Sequence, residues 1–419
     1  MAVLLDLPSE LLLDILSFVR TTLNLSARLQ KSTFFALSLT SKRLNTLANP
    51  FLYHEYVNLD VRRELSPFAN TIIDRPDLAA HVRRLALRGV KRVYNGELDT
   101  ILRLVDTKDF PRTSTSVSEG RPQEAVAFFL IMTLAPKLEY LHLESMDLIR
   151  VSWLILSLVL QKAPREIPGI FGYLKIVDLD CRDSKWNIDI ITVSGFLCLP
   201  SLETFQLRGA VHSIIDASQW KCPVRSSSVA SIILEEGSFS AGVFSKLISS
   251  SKALRNFVSV GNTSWCARSP GTYLLEHRSS LETIHWSLSD SHFQADLISN
   301  EKGSMRDFQK LHTLIWDQFQ LGELSAWRHG TGLRLVDHLP SSLVSLVLKN
   351  CNLAIIGHLD DLADADSTWL PNLETVNVQM TMLREGIVQD EIAGYHLRKI
   401  AERSALKNVR MEFTLPSSI

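Results

Sequence analysis

Three stretches set the fold: Val82-Arg-Arg-Leu85-Ala-Leu87, Leu138-Glu-Tyr-Leu141-His-Leu143 and Leu174-Lys-Ile-Val177-Asp-Leu179. Each has apolar residues at its first, fourth and sixth positions. Further copies begin at Leu202, Val229, Leu281, Leu311, Leu343, Leu373 and Leu406, and a poor one begins at Leu254, where Ser259 takes the third apolar position. The first interval is 56 residues, and those after it are 36, 28, 27, 25, 27, 30, 32, 30 and 33. Leucine clusters arising by chance would not keep that interval, so the chain is read as an array of repeats.

Period-two alternation at the second and third apolar positions marks a short strand with one buried face. The apolar-rich segments between strands, such as Pro122–Ala135, Arg150–Lys162, Ala241–Ser250 and Ile387–Ser404, read as helices or irregular turns. Neither element buries its face alone, so neighbouring units must stack into a continuous core. Each strand reaches the next through a crossover, which makes the sheet parallel. Strands sit ~4.8 Å apart while packed helices need ~8–10 Å, so the stack is expected to bend with the sheet on its concave side. About eleven strands then give an inner surface of roughly 50 Å, a size suited to a macromolecule. The interval matches or slightly exceeds the ~20–29 residues of leucine-rich repeats, so the expected fold is an irregular α/β solenoid of that kind.

Residues between the apolar anchors should line the concavity. They are Arg84, Arg88, Tyr140, His142, Asp178, Asp180, Gln206, Arg208, Glu235, His285, Asp317, Lys349, Gln379, Arg410 and Glu412. Each alone reads most simply as part of a solvated face, since few surface side chains are hot spots. Together they form the candidate target-binding surface. Their mixed signs select neither an anionic nor a cationic ligand.

Ahead of the repeats, Leu7-Pro8-Ser9-Glu10-Leu11-Leu12-Leu13-Asp14-Ile15-Leu16-Ser17-Phe18-Val19 carries a helix-start signature. Pro8 suits the first helical position and Glu10 lies near the positive end of the dipole. Leu11, Leu12, Ile15, Leu16 and Val19 share one face. After a loop at Thr21–Gln30, a second helix is expected at Lys31–Ser41 and a third at about Lys42–Ala48, ended by Pro50-Phe51-Leu52-Tyr53. A three-helix unit of ~45 residues is small for a self-sufficient core, so it should lean on a partner.

Leu4–Leu52 resembles an F-box. The family pattern is present at Leu7, Pro8, Glu10, Ile15, Leu16, Leu37, Leu39, Lys42 and Arg43, with Leu44 where the family often has Trp. Pro50-Phe51-Leu52-Tyr53-His54 resembles the junction common in fungal F-box proteins with leucine-rich repeats, after which a strand such as Glu55–Leu59 begins the next domain. The resemblance implies an F-box-like helical domain at 1–54 and a repeat solenoid at 55–419. It also implies docking to a SKP-family adaptor and, through it, to a cullin. The candidate adaptor-binding residues are Leu7, Pro8, Leu11, Leu12, Ile15, Leu16, Leu37, Leu39, Lys42 and Arg43, buried by a helix-in-groove contact. The rival account is that these residues only cap the open end of the repeat core, which every solenoid needs. The expected function is therefore substrate recognition for an SCF-type ubiquitin ligase. The alternatives are a repeat scaffold without a ubiquitin role and, less favoured, a small-ligand sensor.

Composition narrows the rest. The 419 residues carry 44 basic and 45 acidic side chains, which leaves no overall electrostatic footprint for nucleic acid or anionic membrane. The longest apolar stretches, Ala125–Ala135 and Val151–Leu160, are about half of a bilayer span. Asp6 and Glu10 interrupt the N-terminal apolar residues, which argues against a secretory signal. Cys181, Cys198, Cys222, Cys266 and Cys351 are odd in number and scattered, as expected for reduced thiols in the cytoplasm or nucleus. The Ser- and Thr-rich segment Asp109–Gln123 reads as a flexible insertion, about 108–123.

No phosphate cradle, His-Glu-x-x-His or Cys-x-x-Cys occurs; Gly330-Thr331-Gly332 and Ser249-Ser-Ser-Lys252 are isolated fragments. No cofactor, metal or enzyme activity is expected. Trp286 and Trp316 occupy third apolar positions and should be core; Trp265, Trp327 and Trp369 add to an aromatic-rich second half.

Overall fold

The computed structural model describes residues 6–21, 27–58, 65–88, 124–144, 149, 152, 171–182, 190–209, 217–237, 239–261, 270–287, 305–317, 334–353, 355–365, 369–380, 387–405 and 407–414. The expected insertion at about 108–123, nearly all of Arg150–Lys162, and Cys266, Trp265 and Trp327 lie outside them. The chain divides into two compact units, residues 1–186 with 199–202 and residues 187–198 with 203–419.

The first unit opens with three helices, α1 (Ser9–Thr21), α2 (Ala27–Thr40) and α3 (Lys42–Leu52). Strand β1 (Glu55–Asn58), short helices α4 (Ser66–Asp74) and α5 (Pro76–Ala79), β2 (Arg84–Leu87), α6 (Glu124–Leu134), β3 (Tyr140–Leu143) and β4 (Ile176–Asp180) follow. The four strands are parallel and ordered as in the sequence. Over Val126–Met132 helix α6 is apolar all round, as an enclosed helical stretch must be. Val126–Met132 are no more than 2% exposed, and the helix packs on α4 and α5.

Two expectations in the helical segment are corrected. Helix α1 runs to Thr21 and α2 already begins at Ala27, inside the stretch Thr21–Gln30 expected as a loop. Helix α3 runs through Pro50 instead of stopping before it. Pro50 falls in the last turn, where the missing N–H removes one bond and Tyr53 N closes the end on Asn49 O at 2.9 Å. The start of α3 is capped by Ser41, whose Oγ accepts from Leu44 N at 3.1 Å. Ser41→Ala should therefore cost about 1 kcal/mol of unfolding free energy, and Ser41→Gly only a few tenths, in urea titrations.

The second unit repeats one plan. Its helices are α7 (Ile190–Val193), α8 (Ala241–Ser250), α9 (Pro270–Leu274), α10 (Leu335–His338), α11 (Ile355–Asp364) and α12 (Ile387–Ala405). Its strands are β5 (Thr204–Arg208), β6 (Ser231–Glu235), β7 (Asn256–Val260), β8 (Thr283–Ser287), β9 (Thr313–Asp317), β10 (Ser345–Cys351), β11 (Thr375–Met380) and β12 (Arg410–Thr414), again parallel and in sequence order. The apolar anchors form the floor: Phe205, Ile232, Phe257, Ile284, Leu314, Leu346 and Val376 are 0–1% exposed.

Strands β2 to β11 each start two residues after the first anchor of their repeat, as read from the sequence. The last repeat is displaced. Val376 and Val378 pair with Met411 and Phe413, so the copy placed at Leu406 has its register two residues later. The parity is unchanged, and Arg410 and Glu412 still face outward.

Serine ties successive repeats together. Ser201, Ser280 and Ser342 stand just before an anchor leucine and donate to Leu174 O (3.0 Å), Leu254 O (2.8 Å) and Leu311 O (2.9 Å) of the preceding repeat. Each satisfies a carbonyl that a short, buried turn would otherwise leave without a donor.

Candidate functional site

In the helical segment, the physical question is which apolar side chains the small core consumes. Leu12 and Leu16 of α1, Phe34 of α2, and Leu44 and Ala48 of α3 are 0–4% exposed. Phe34 also stacks on Phe51 at 5.3 Å. Arg43 Nη2 donates to Leu7 O (2.7 Å) and Ser9 Oγ (3.1 Å), which fixes the start of α1 against α3. Asn45 Nδ2 donates to Ser38 O at 3.1 Å and ties α3 to α2.

That core splits the apolar face read from the sequence. Leu12 and Leu16, expected among the docking side chains, are inside; five apolar positions cover more of the helix than a partner could reach once α3 takes its share. Leu11 (49%), Ile15 (42%) and Phe18 (56%), spaced four and three residues apart, make one exposed stripe. Phe35 (55%) and Leu39 (71%) make a second on α2. Leu7 and Leu37 are half-buried, while Pro8, Lys42 and Arg43 are exposed. Phe18, Phe35, Leu13 and Leu29 are exposed too and were missed by the sequence reading. The signal was present in part: Phe34 and Phe35 are adjacent on a helix, so both cannot face one core.

On the strands of the first unit, the polar positions form one connected network. Glu55 reaches Arg84 at 3.7 Å, and the Arg84 guanidinium lies 4.6 Å from the Tyr140 ring centroid. Tyr140 Oη donates to Asp178 Oδ2 at 3.3 Å. His142 sits between Asp178 (2.9 Å) and Glu144 (3.0 Å), and Glu144 holds Arg88 at 3.0 Å. The Asp178 carboxylate first, then Glu144, raises the imidazole pKa above its ordinary value against the opposing effect of burial. Asp180 takes Arg182 in a two-pronged pair. His142, Asp178 and Asp180, expected on a solvated face, are only 4–8% exposed. Charges at that depth persist because each is paired.

In the second unit, Arg208 pairs with Glu235 at 3.0 Å, and Lys349 lies 3.1 Å from His285 Nε2. Burial, and then the Lys349 charge, push the His285 pKa down to about 4, so the ring is neutral. Asp317 was expected to be offered to a target, but it is 0% exposed and accepts from Ser287 Oγ at 3.3 Å. Gln206 and Gln379 are half-buried, and Arg410 and Glu412 are exposed and pair with each other. Trp286 and Trp316 are core, as expected, at 4–5% exposure. The sequence reading missed the outward aliphatic positions Ile233, Val258, Ile315 and Val347, which lie between the second and third anchors of their repeats.

Among the described residues no group of three or more His, Cys, Asp or Glu is placed to hold a metal ion. The described cysteines, Cys181, Cys198, Cys222 and Cys351, are free thiols. Burial pushes Cys181 and Cys351 up to about 12, so both stay protonated. No helix among the described residues is long and apolar enough to cross a membrane. Residues 4–58 match the family model described as F-box-like, which spans α1 to β1. No curated protein matches the chain.

Proposed function

We propose that this chain, which carries an F-box-like domain over residues 4–58, is the substrate-recognition subunit of a SKP adaptor–cullin–RING ubiquitin ligase. One observation carries the reading. Inside the matched segment, Leu11, Ile15, Phe18, Phe35 and Leu39 stay 42–71% exposed although the helices have a filled core of their own. Apolar stripes of that kind on a small domain mark a contact with another protein. The helices dock in the adaptor's groove by that surface, with Leu12 and Leu16 holding α1 in place behind it.

The strand-and-crossover array is a leucine-rich-repeat solenoid whose outward strand positions take the target protein. The chain performs no bond chemistry. It binds the target and the adaptor at once, which raises the target's effective concentration beside the ubiquitin-transfer machinery. It works in the cytoplasm or nucleus.

Co-purification of the full chain with a SKP-family adaptor tests the reading. Wild type should capture the adaptor, and Ile15→Asp combined with Leu39→Asp should weaken capture by about 100-fold, equal to ~2.7 kcal/mol. Burying two aliphatic side chains is worth more than that, about 1.5–3 kcal/mol each when complete. Circular dichroism should be unchanged, because neither residue belongs to the core. A wild-type chain that ignores the adaptor, or a double variant that binds it equally well, sinks the proposal.

A further inference from the structure

The open face of the second unit carries an aliphatic row where a solvated strand face is ordinarily polar. In register across β6 to β10, the middle outward position is Ile233, Val258, His285, Ile315 and Val347. All five are half-buried, so each still presents part of its surface to water. Beside this row runs a second one of short, uncharged polar side chains: Ser231, Asn256, Thr283, Thr313 and Ser345.

On the other side, charge is compensated at Arg208–Glu235, and Asp317 is buried. Lys349 differs. It sits next to the end of the aliphatic row on β10, and its hydrogen-bond partner is the neutral His285 ring at 3.1 Å. Among the described residues it forms no salt bridge with a carboxylate.

The spacing of the row restricts what can lie along it. Five parallel strands ~4.8 Å apart set four steps, about 19 Å in all. An α-helix returns to the same face every ~5.4 Å, so over four steps it drifts only ~2 Å from the strands. An extended peptide returns to the same face every ~6.7 Å and drifts ~8 Å, a strand and a half out of step.

We propose that the face of β6–β10 receives an amphipathic helix of the target protein. The helix lies across the strands, and a Glu or Asp on the turn over β10 pairs with Lys349. A length of about 13 residues covers the row. Its apolar side chains meet Ile233, Val258, Ile315 and Val347, and His285 accepts the Lys349 proton donor beneath the incoming carboxylate. This rests on the reading of the repeats as the target surface, and it names the class of target.

The test is a yeast-displayed library of randomised segments, each about 14 residues long, selected on the purified full chain. Enriched segments should space apolar residues three and four apart and carry an acidic residue toward one end. On Lys349→Glu, the same selection should replace that acid with Lys or Arg. Ile315→Asp should weaken the wild-type binders by about tenfold or more. Segments with period-two alternation or internal proline, an acidic preference that survives Lys349→Glu, or no enrichment at all would each overturn the proposal. Lys349→Glu is a surface exchange and keeps the test open if Ile315→Asp unfolds. Adaptor capture by the same proteins is scored separately. Loss of adaptor binding in wild type counts against the F-box reading alone, while the selection judges this face by itself.

Discussion

Phe257→Ala lowers the unfolding free energy by about 3–5 kcal/mol, the cost of removing a large side chain from a core that cannot close around the gap. Phe257 on β7 is 0% exposed. Its ring meets Phe244 of α8 edge-on at 5.8 Å and Trp286 of β8 at 5.7 Å. Phe244 in turn meets Tyr273 at 5.2 Å and Trp286 at 5.8 Å, both edge-on. Edge-to-face pairs add to area burial because the positive rim of one ring faces the negative face of another. The cluster also explains the imperfect repeat at Leu254. Ser259 stands where the strands on either side have Leu234 and Trp286, so a small residue lies beside a large one.

With Ser259 already small, nothing on β7 can move in to fill the space that Phe257 leaves. Urea titration should show a lower midpoint at unchanged slope. Val258→Ala, one residue along on the open face, should cost about 1 kcal/mol or less. Equal losses at the two positions would mean that the rings do not form the core described. Because stacked repeats depend mainly on their neighbours, exchange protection should fall first in β6 to β8.

The strands were legible because each repeat must bury the same three positions, so the pattern recurs at the level of single residues. Val82, Leu138, Leu174 and their counterparts through Leu373 fix the strand starts without any help from composition. The last repeat departs from the pattern. Among the described residues β12 is packed by α12 and paired by β11 alone, so Met411 and Phe413 stay half-buried and the apolar signal there is weak.

In the helices, periodicity identified α1 but could not divide its wide apolar face. Leu11 and Leu12 are chemically equal, and only the position of α3 buries Leu12 and leaves Leu11 in water. The start of α2 at Ala27 was illegible because Ala27–Gln30 carries no strong apolar period. Polar positions such as Arg84 and His285 draw the eye as candidate sites, whereas Ile233, Val258, Ile315 and Val347 pass for ordinary strand residues. Their outward placement becomes visible only when the register of five strands is laid side by side.

Acid should destabilise the chain well before its carboxylates titrate. Burial pushes His358 down to about 4; burial and Arg20, 2.9 Å away, do the same to His54, and burial with Lys349 to His285. Burial lowers His277 as well, where Nε2 donates to Ile248 O at 3.0 Å and Nδ1 accepts from Leu254 N at 3.3 Å. In every case the folded value lies below that of the unfolded chain. The unfolded chain therefore binds protons first as pH falls through ~6.5, and stability present above that point is lost down to about 4.

His142 works in the opposite sense. Its raised value gives stability below ~6.5 that disappears as pH rises through the folded value. The depressed histidines outnumber it, so the net slope is toward lower stability in acid. His358 is 3% exposed and little screened, and alone it should account for roughly 2 kcal/mol between pH 7 and pH 5. His54 and His285 reach water and should contribute less than that each. His358→Gln should lose stability at pH 7 yet recover most of that ~2 kcal/mol difference, read as the gap between urea midpoints at the two pH values. His142→Gln should widen the same gap, because it removes the one imidazole among the described residues whose pKa is raised. A chain equally stable at pH 7 and pH 5 would mean that these rings are open to water and that the repeats do not close over them.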